Sequence, residues 1–358
     1  MTRRPCVLVT GVGGRSVGHQ ILHALQLTGD RYRIVCCDAD SFSFGLYQVP
    51  GRYLVPPALA PSYVEAILEI IRREAVDALL PGTEAEIRTL VQAEASLAEA
   101  GCRLVASPAE VIELCGDKGH LYRWLAEQGI GVPRSAGVAD LEDFLADVGF
   151  PIVAKPAGSS GGSRNVMILS DRAEIDDYIQ HFPGPEADIV FQEYVGSPET
   201  EYTVGVVVSH AGEIIDSIVL HRKLFGLSLG ITRVVARVPY ALSTGYSQGF
   251  IVRHPAIQDF CESLALRMGM RGPVNIQLRL QGDEVRVFEV HPRFSGTTSI
   301  RADAGLNEPD LVLRDLLLGE SPGRQPYRYD VAAIRAFQTI LVPVKDMASV
   351  ERLPSGKA

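Results

Sequence analysis

The sequence predicts an α/β fold that opens with a doubly wound, parallel-sheet domain. Three observations carry this. Residues 6–10 are a short apolar run that ends in the turn Gly11-Val12-Gly13-Gly14. Residues 17–27 place apolar side chains at helical spacing. Residues 33–37 form a second apolar run that ends at Asp38. Strand, glycine turn, helix and strand, in that order, begin a doubly wound sheet. Helix over 63–73, strand over 78–80, helix over 84–99 and strand over 103–106 continue it. Ser107-Pro108-Ala109-Glu110 then reads as a helix start, with a capping hydroxyl, Pro at the first position and acid in the first turn.

Beyond that boundary the pattern predicts one helix over 111–130, a helix over 141–148 and a strand over 151–156. The run Gly158-Ser159-Ser160-Gly161-Gly162-Ser163 separates it from a strand at 165–169. Hairpin loops are usually two to five residues, so a longer glycine-serine loop beside an isolated Lys155 points to phosphate binding through exposed amides and a point charge. Strands follow at 189–194, 201–209, 213–221, 232–238, 274–280, 284–290 and 333–342, with a helix at 256–269.

Bulk properties exclude several classes. The 358 residues are 46% apolar and 22% charged, ordinary for a globular chain of two or three domains. The net charge of −9 argues against nucleic acid or an anionic membrane as a partner. Six cysteines, mostly in apolar runs and without a C-x-x-C pair, predict free thiols in a reducing compartment. No apolar run has the length of a membrane span or a signal peptide, so the expected location is cytoplasmic.

The segment Val287-Phe288-Glu289-Val290-His291-Pro292-Arg293-Phe294-Ser295-Gly296-Thr297-Thr298 is the most informative. A strand that continues through it sets Glu289, His291 and Arg293 on one face. A carboxylate, a second candidate metal ligand and a guanidinium suit a Mg²⁺-bound polyphosphate. Lys118, Glu193, Val195, Glu201 and Gln277 are unremarkable singly. Lys118 reads equally as a solvated helix residue, Glu193 as a strand edge and Gln277 as a solvent-facing polar residue. The N-terminal turn misses the dinucleotide spacing, because Ser16 stands where G-x-G-x-x-G needs its last glycine. Asp38 stands where a ribose-binding acid would. The basic turn His221-Arg222-Lys223 reads as a solvated surface or as facing an anionic ligand.

Taken in order, these residues resemble the ATP-grasp superfamily, and within it short proteins similar to one half of the carbamoyl-phosphate synthase large subunit. The resemblance covers about residues 5–320 and is densest at Glu289 to Thr297. It implies an α/β ATP-grasp fold with a Rossmann-like pre-ATP-grasp domain over 1–110 and a lid subdomain with the glycine loop over 111–187. A C-terminal subdomain with the metal site would cover 188–345, and a polar tail 346–358. By position, Lys118 and Lys155 would neutralise ATP phosphates and Gly161 and Gly162 would cover them. Glu193 and Val195 would meet the adenine and Glu201 the ribose. Gln277, Glu289 and His291 would hold metal, and Arg293 would act on the transferring phosphoryl group.

The resemblance further implies ATP with two Mg²⁺ ions, or Mn²⁺ in their place, and a small-molecule carboxylate and amine as substrates. It allows a homodimer. The implied activity is carbon–nitrogen ligation through an acyl-phosphate. The alternatives are a carbamoyl-phosphate-type kinase on bicarbonate or carbamate, an NAD(P)-dependent sugar-nucleotide enzyme built on the glycine turn, and a nucleotide-binding regulator without catalysis. Two departures from the family pattern stand out. His291 replaces the usual Asn, and the step from Glu193 to Glu201 is one residue longer. Arg301 and Asp303 are candidate substrate contacts.

Overall fold

The computed structural model describes residues 3–158, 165–224, 231–243 and 247–353. β1 (Cys6–Thr10) is buried along its whole length. After α1 (Val17–Gln26) it is joined by the parallel strands β2 (Arg33–Asp38) and β3 (Gly51–Leu54) on one side. α2 (Tyr63–Glu74), β4 (Ala78–Leu80), α3 (Glu84–Gln92), α4 (Glu94–Glu99) and β5 (Arg103–Leu104) extend the other side. The expected helix over 84–99 therefore breaks at Ala93. Packing explains Gly18, in the first turn of α1. A Cβ on Gly18 would lie 2.1 Å from the Thr10 carbonyl oxygen, so only glycine lets α1 approach the end of β1.

The expected single helix over 111–130 is two helices, α5 (Ala109–Gly116) and α6 (Lys118–Glu127). Asp117 between them is extended, and its carboxylate accepts the His120 amide at 2.8 Å. An N-capping Asp in mid-pattern overrides apolar periodicity. The break puts Lys118 at the first position of α6, where its amide donates to the Ala157 carbonyl at 3.2 Å. β6 (Ser135–Ala136), α7 (Leu141–Val148), β7 (Ile152–Pro156), β8 (Met167–Leu169), α8 (Arg172–His181) and β9 (Ile189–Glu193) follow. Their antiparallel sheet has the order β6-β9-β7-β8. Because β9 pairs with β7, this sheet runs to Glu193, past the boundary expected at 187.

The third sheet is antiparallel. Its strands are β10 (Glu201–Val208), β11 (Ile214–Lys223), β14 (Gln248–Val252), β15 (Gly272–Gln281), β16 (Glu284–His291) and β17 (Val331–Ala333), in the order β16-β15-β10-β11-β14-β17. The expected strand at 232–238 is instead a hairpin of β12 (Ile231–Val235) and β13 (Val238–Leu242). Ala236 and Arg237 turn it with positive φ, the conformation that fits a two-residue hairpin loop. The expected strand over 333–342 does not form: β17 ends at Ala333, and Ile334, Phe337 and Leu341 beyond it are exposed.

α9 (Pro255–Arg267), α10 (Thr298–Ala304) and α11 (Glu308–Leu318) cover this sheet, the last two outside the expected elements. Leu22 and Leu25 of α1 share one apolar cluster with Leu306 and Val312. Arg31 and Tyr32 bond Asp310 at 2.5 and 3.0 Å. The first domain is thereby fixed against the third sheet.

The expected polar tail is corrected in part. After α12 (Val344–Ala348), β18 (Glu351–Arg352) pairs in parallel with β3 and completes the first sheet. Val350 and Leu353 are buried on either side of it. Two apolar residues among polar ones suffice to dock so short a strand. All six cysteines are buried and free. No helix among the described residues is long and apolar enough to cross a membrane. Leu353→Ala should destabilise the full chain by about 3 kcal/mol, read as a lower unfolding midpoint, and an unchanged midpoint would mean that the segment does not dock.

Candidate nucleotide and metal site

The site begins with a defect in a strand. Val287 and Val290 of β16 are both in the core, although three residues apart. Regular pleating would put them on opposite faces. The ladder to β15 shifts at this point, Leu278 pairing with Val287 and Gln277 with Glu289. Phe288 is the extra residue of a β-bulge. Without it Glu289 would share the core face of Val287. With it Glu289 turns into a cleft of about 1270 Å³. The bulge is braced from the lid side. Lys155 donates to the Tyr122 hydroxyl at 2.7 Å, and that hydroxyl donates to the Phe288 carbonyl at 2.8 Å.

The cleft brings together residues from all three sheets. Its walls include Lys118, Lys155, Glu193, Val195, Glu201, Gln277, Glu289, His291 and Arg293, nine of the eleven residues expected at nucleotide, metal or phosphoryl group. Gly161 and Gly162 lie outside the described residues. Lys155 is buried on β7, where Gln192 also accepts from it at 2.7 Å. Burial pushes its pKa down to about 8, which Glu289 only partly counters. Lys118 caps the base of the glycine loop by donating to the Gly158 carbonyl at 3.0 Å. Burial lowers its pKa too, against the pull of Glu289.

Partial burial opposes the charge of Glu289, but His291 and then the two lysines outweigh it and hold the carboxyl at about 2. Gln277 donates to Glu289 at 2.6 Å and accepts from Arg222. The two ring nitrogens of His291 face carboxylates, Nδ1 at 3.1 Å from Glu84 and Nε2 at 3.2 Å from Glu289. Burial and Arg293 work against its proton, but Glu289 and Glu84 prevail and raise its pKa. In this arrangement His291 bridges Glu84 and Glu289, beside the carboxylate it would join as a metal ligand. Among the described residues no three His, Cys, Asp or Glu side chains form a self-contained metal site. Mg²⁺ needs none, since it is commonly held by one or two protein oxygens together with phosphates and water.

The hinge between lid and third sheet is held by a group the sequence reading missed. Arg279 donates to the Val195 carbonyl at 3.1 Å and the Ala241 carbonyl at 2.6 Å. It stacks over Tyr194 at 4.5 Å. Glu201, expected at a ribose, is buried between Arg279 at 2.8 Å and Arg222 at 3.3 Å. It lines the cleft, yet its carboxylate neutralises two buried guanidiniums. Of the basic turn, Arg222 faces the cleft and is buried, whereas His221 stacks on Tyr202 and Lys223 is exposed. A signal for Arg279 was present: Asn275, Gln277 and Arg279 alternate with Val274, Ile276 and Leu278, a polar face on a buried strand. Arg301 and Asp303, the candidate substrate contacts, lie elsewhere. Arg301 is in the core against Glu308 at 2.8 Å, and Asp303 pairs with His23 at 2.9 Å.

The fold has close counterparts among solved structures. The biotin carboxylase domain of the Hydrogenobacter thermophilus 2-oxoglutarate carboxylase, solved with MgADP, ADP and bicarbonate, matches with a TM-score of 0.63 at 14% identity, over 91% of this chain and 73% of that one. N5-carboxyaminoimidazole ribonucleotide synthetase from Thermotoga maritima gives 0.60 at 16% identity, over 92% and 79%. The L-amino acid ligase of Bacillus licheniformis gives 0.62 at 17% identity, over 88% and 74%. The fold is thus the α/β fold of ATP-grasp enzymes.

Sequence relatives narrow this. Residues 186–339 match the family described as ATP-grasp in the biosynthetic pathway with Ter operon, and residues 7–105 match the PylC-like N-terminal domain. The carbamoyl phosphate synthase large chain of Rubrobacter xylanophilus is 26% identical over 332 residues, 88% of this chain and 30% of that one. That of Thermomicrobium roseum is 27% identical over 304 residues, 82% and 27%. Residues 186–339 thus resemble an ATP-grasp domain, and the chain as a whole resembles one half of the carbamoyl phosphate synthase large chain. It spans under a third of the length of those curated relatives.

Glu201→Ala would leave Arg222 and Arg279 facing each other without a counter-charge in a buried setting. Breaking such a cluster costs about 3–5 kcal/mol. Chemical denaturation should show that loss, and a loss below about 1 kcal/mol would mean that Glu201 is not a structural counter-charge.

Proposed function

We propose that the protein is an ATP- and Mg²⁺-dependent carboxylate–amine ligase that works through an acyl-phosphate. The observation that carries this is the pair of lysines facing an ionised Glu289 across one cleft. Lys155 sits on the lid sheet, Lys118 at the base of the glycine loop and Glu289 on the bulged strand. Cations on one wall and an anion opposite suit a polyphosphate between them, with metal bridging it to the carboxylate. Glu289 and Gln277 would hold Mg²⁺, which would neutralise charge on the phosphates. Arg222 already bonds the Gln277 amide oxygen, so Glu289 is the stronger ligand.

In the proposed chemistry a carboxylate oxygen attacks the γ-phosphorus, and ADP leaves with the electrons of the broken phosphorus–oxygen bond. The amine nitrogen then attacks the acyl carbon, phosphate departs, and the nitrogen loses a proton. Arg293 would stabilise the negative charge on the transferring group. Lys118 and Lys155 would hold the phosphates, Gly161 and Gly162 would cover them, and Glu193 and Val195 would frame the adenine. Glu201 would reach the ribose only in addition to its arginines. Beyond the lysines the cleft continues past Gly13 and Asp38 to Val55 and Leu59 of the first domain. That extra room favours an organic substrate over bicarbonate, and so the ligase over the carbamoyl-phosphate-type kinase. Two Mg²⁺ ions or Mn²⁺ in their place, a homodimer and a cytoplasmic location complete the reading. The domain limits we propose are 1–110, 111–193 and 194–345, with the last residues returning to the first sheet.

MgATP should raise the melting temperature and NAD(P) should not, whereas the reverse pattern would sink the proposal. A panel of carboxylates and amines should release phosphate in some combination, and Glu289→Ala should cut that release more than about a hundredfold. MgATP affinity should be flat below about pH 8, where Lys155 is already protonated. Above it the affinity should fall toward tenfold per pH unit, because binding then takes up a proton. Lys155→Met should weaken binding and remove that slope, and a slope retained in the variant would assign it to another group.

A further inference from the structure

The strongest unassigned feature of the cleft is Glu84, from the first domain. It is the first residue of α3, after the N-capping Thr83. A carboxylate there is favoured by the helix amides. Its Oε1 accepts from Arg293 Nη2 at 2.6 Å and Nε at 3.2 Å, and lies 3.1 Å from His291 Nδ1. Arg293 also donates from Nη1 to the Phe294 carbonyl at 2.9 Å. A guanidinium has five N–H groups, so three are committed and two remain for a ligand. Arg293 and His291 come within 3.5 Å of each other, Nη2 to Nδ1. Two groups able to carry positive charge stay that close only with a shared anion between them, and Glu84 supplies it.

We propose that Glu84 is the positioning residue of this site, fixing Arg293 and His291 so that the remaining guanidinium N–H groups point at the transferring phosphoryl group. This rests on the ligase reading above. It adds that the first domain, besides lining the substrate end of the cleft, sets the geometry of phosphoryl transfer just past the end of β16, more than 200 residues away. Glu84 touches neither nucleotide nor metal in this account. Removing it frees Arg293 to swing without taking a contact from ATP. A misplacement of about 1 Å at such a group can cost about a hundredfold in rate.

The test compares wild-type full chain with Glu84→Gln and Glu84→Asp, using MgATP and MgADP as probes. Glu84→Gln should lower the rate constant for phosphate release about a hundredfold while the dissociation constants for MgATP and MgADP move less than about twofold. Glu84→Asp, which keeps the charge on a shorter arm, should recover part of the rate. In nitrogen-15 spectra the Arg293 Nε–H signal, assigned by its loss in Arg293→Lys, should be protected from exchange in the wild type and unprotected in Glu84→Gln. That readout needs no turnover. If the signal keeps its protection, or if nucleotide affinity falls in step with the rate, the inference is wrong while the ligase reading stands. If the wild type binds no MgATP and releases no phosphate, the ligase reading fails and this inference falls with it.

Discussion

The register of β15 against β16 is the constraint on which the site depends. One inserted residue, Phe288, moves Glu289 from the core face to the cleft face and pairs it with Gln277. Everything charged is arranged around that displacement. The cleft-facing side of β15 carries Asn275, Gln277 and Arg279, and the core-facing side Val274, Ile276 and Leu278. A slip of one residue would put amides and a guanidinium into an apolar cluster, at a cost large enough to forbid it. The bulge is held from outside the sheet by Tyr122 on its Phe288 carbonyl, and Tyr122 in turn receives Lys155. Lys155 and the bulge that turns Glu289 are therefore linked through one phenol.

Electrostatically the cleft is poised rather than neutral. Lys155 is taken down to about 8 by burial, and Glu289 is held at about 2 by His291 and the lysines. A polyphosphate entering between them would relieve the buried cations, and a divalent cation would satisfy the carboxylate. Binding energy then comes from groups already desolvated and oriented, which keeps the cost of closing the site small. Arg222, Arg279 and Glu201 form a separate buried set at the hinge. It holds the carbonyls of Val195 and Ala241, and so this edge of the cleft, in place.

The sequence was most legible where local pattern and global fold agree. Strands β1, β2, β4 and β5 of the doubly wound sheet, Lys155 before its glycine loop and the acid-to-guanidinium spacing at Glu289 and Arg293 all follow from period and residue type, whereas β3 does not. What escaped is non-local. Asp117 broke a periodic helix because a cap outweighs apolar spacing, and this placed Lys118. The bulge at Phe288 has no composition of its own, so Glu289 and Val287 looked as if they shared a face. Glu84 acts on partners far along the chain, and nothing near it in sequence announces it; Arg279 was signalled only by the polar face it shares with Asn275 and Gln277. That both nitrogens of His291 face carboxylates, Glu84 and Glu289, was likewise invisible, because Glu84 comes from a distant helix. The candidate contacts Arg301 and Asp303 followed from proximity in sequence to Ser295, and α10 carries them away from the cleft.

The central claim is that Glu289 meets a metal-bound nucleotide gripped from the other wall by Lys118 and Lys155. A crystal structure of the full chain with MgADP tests it most directly. The account predicts an ion with a Glu289 oxygen at about 2.0–2.1 Å and the diphosphate within hydrogen-bond reach of both lysine ammonium groups. A nucleotide seated instead on the turn Gly11 to Gly14, or a metal with no contact to Glu289, would contradict it.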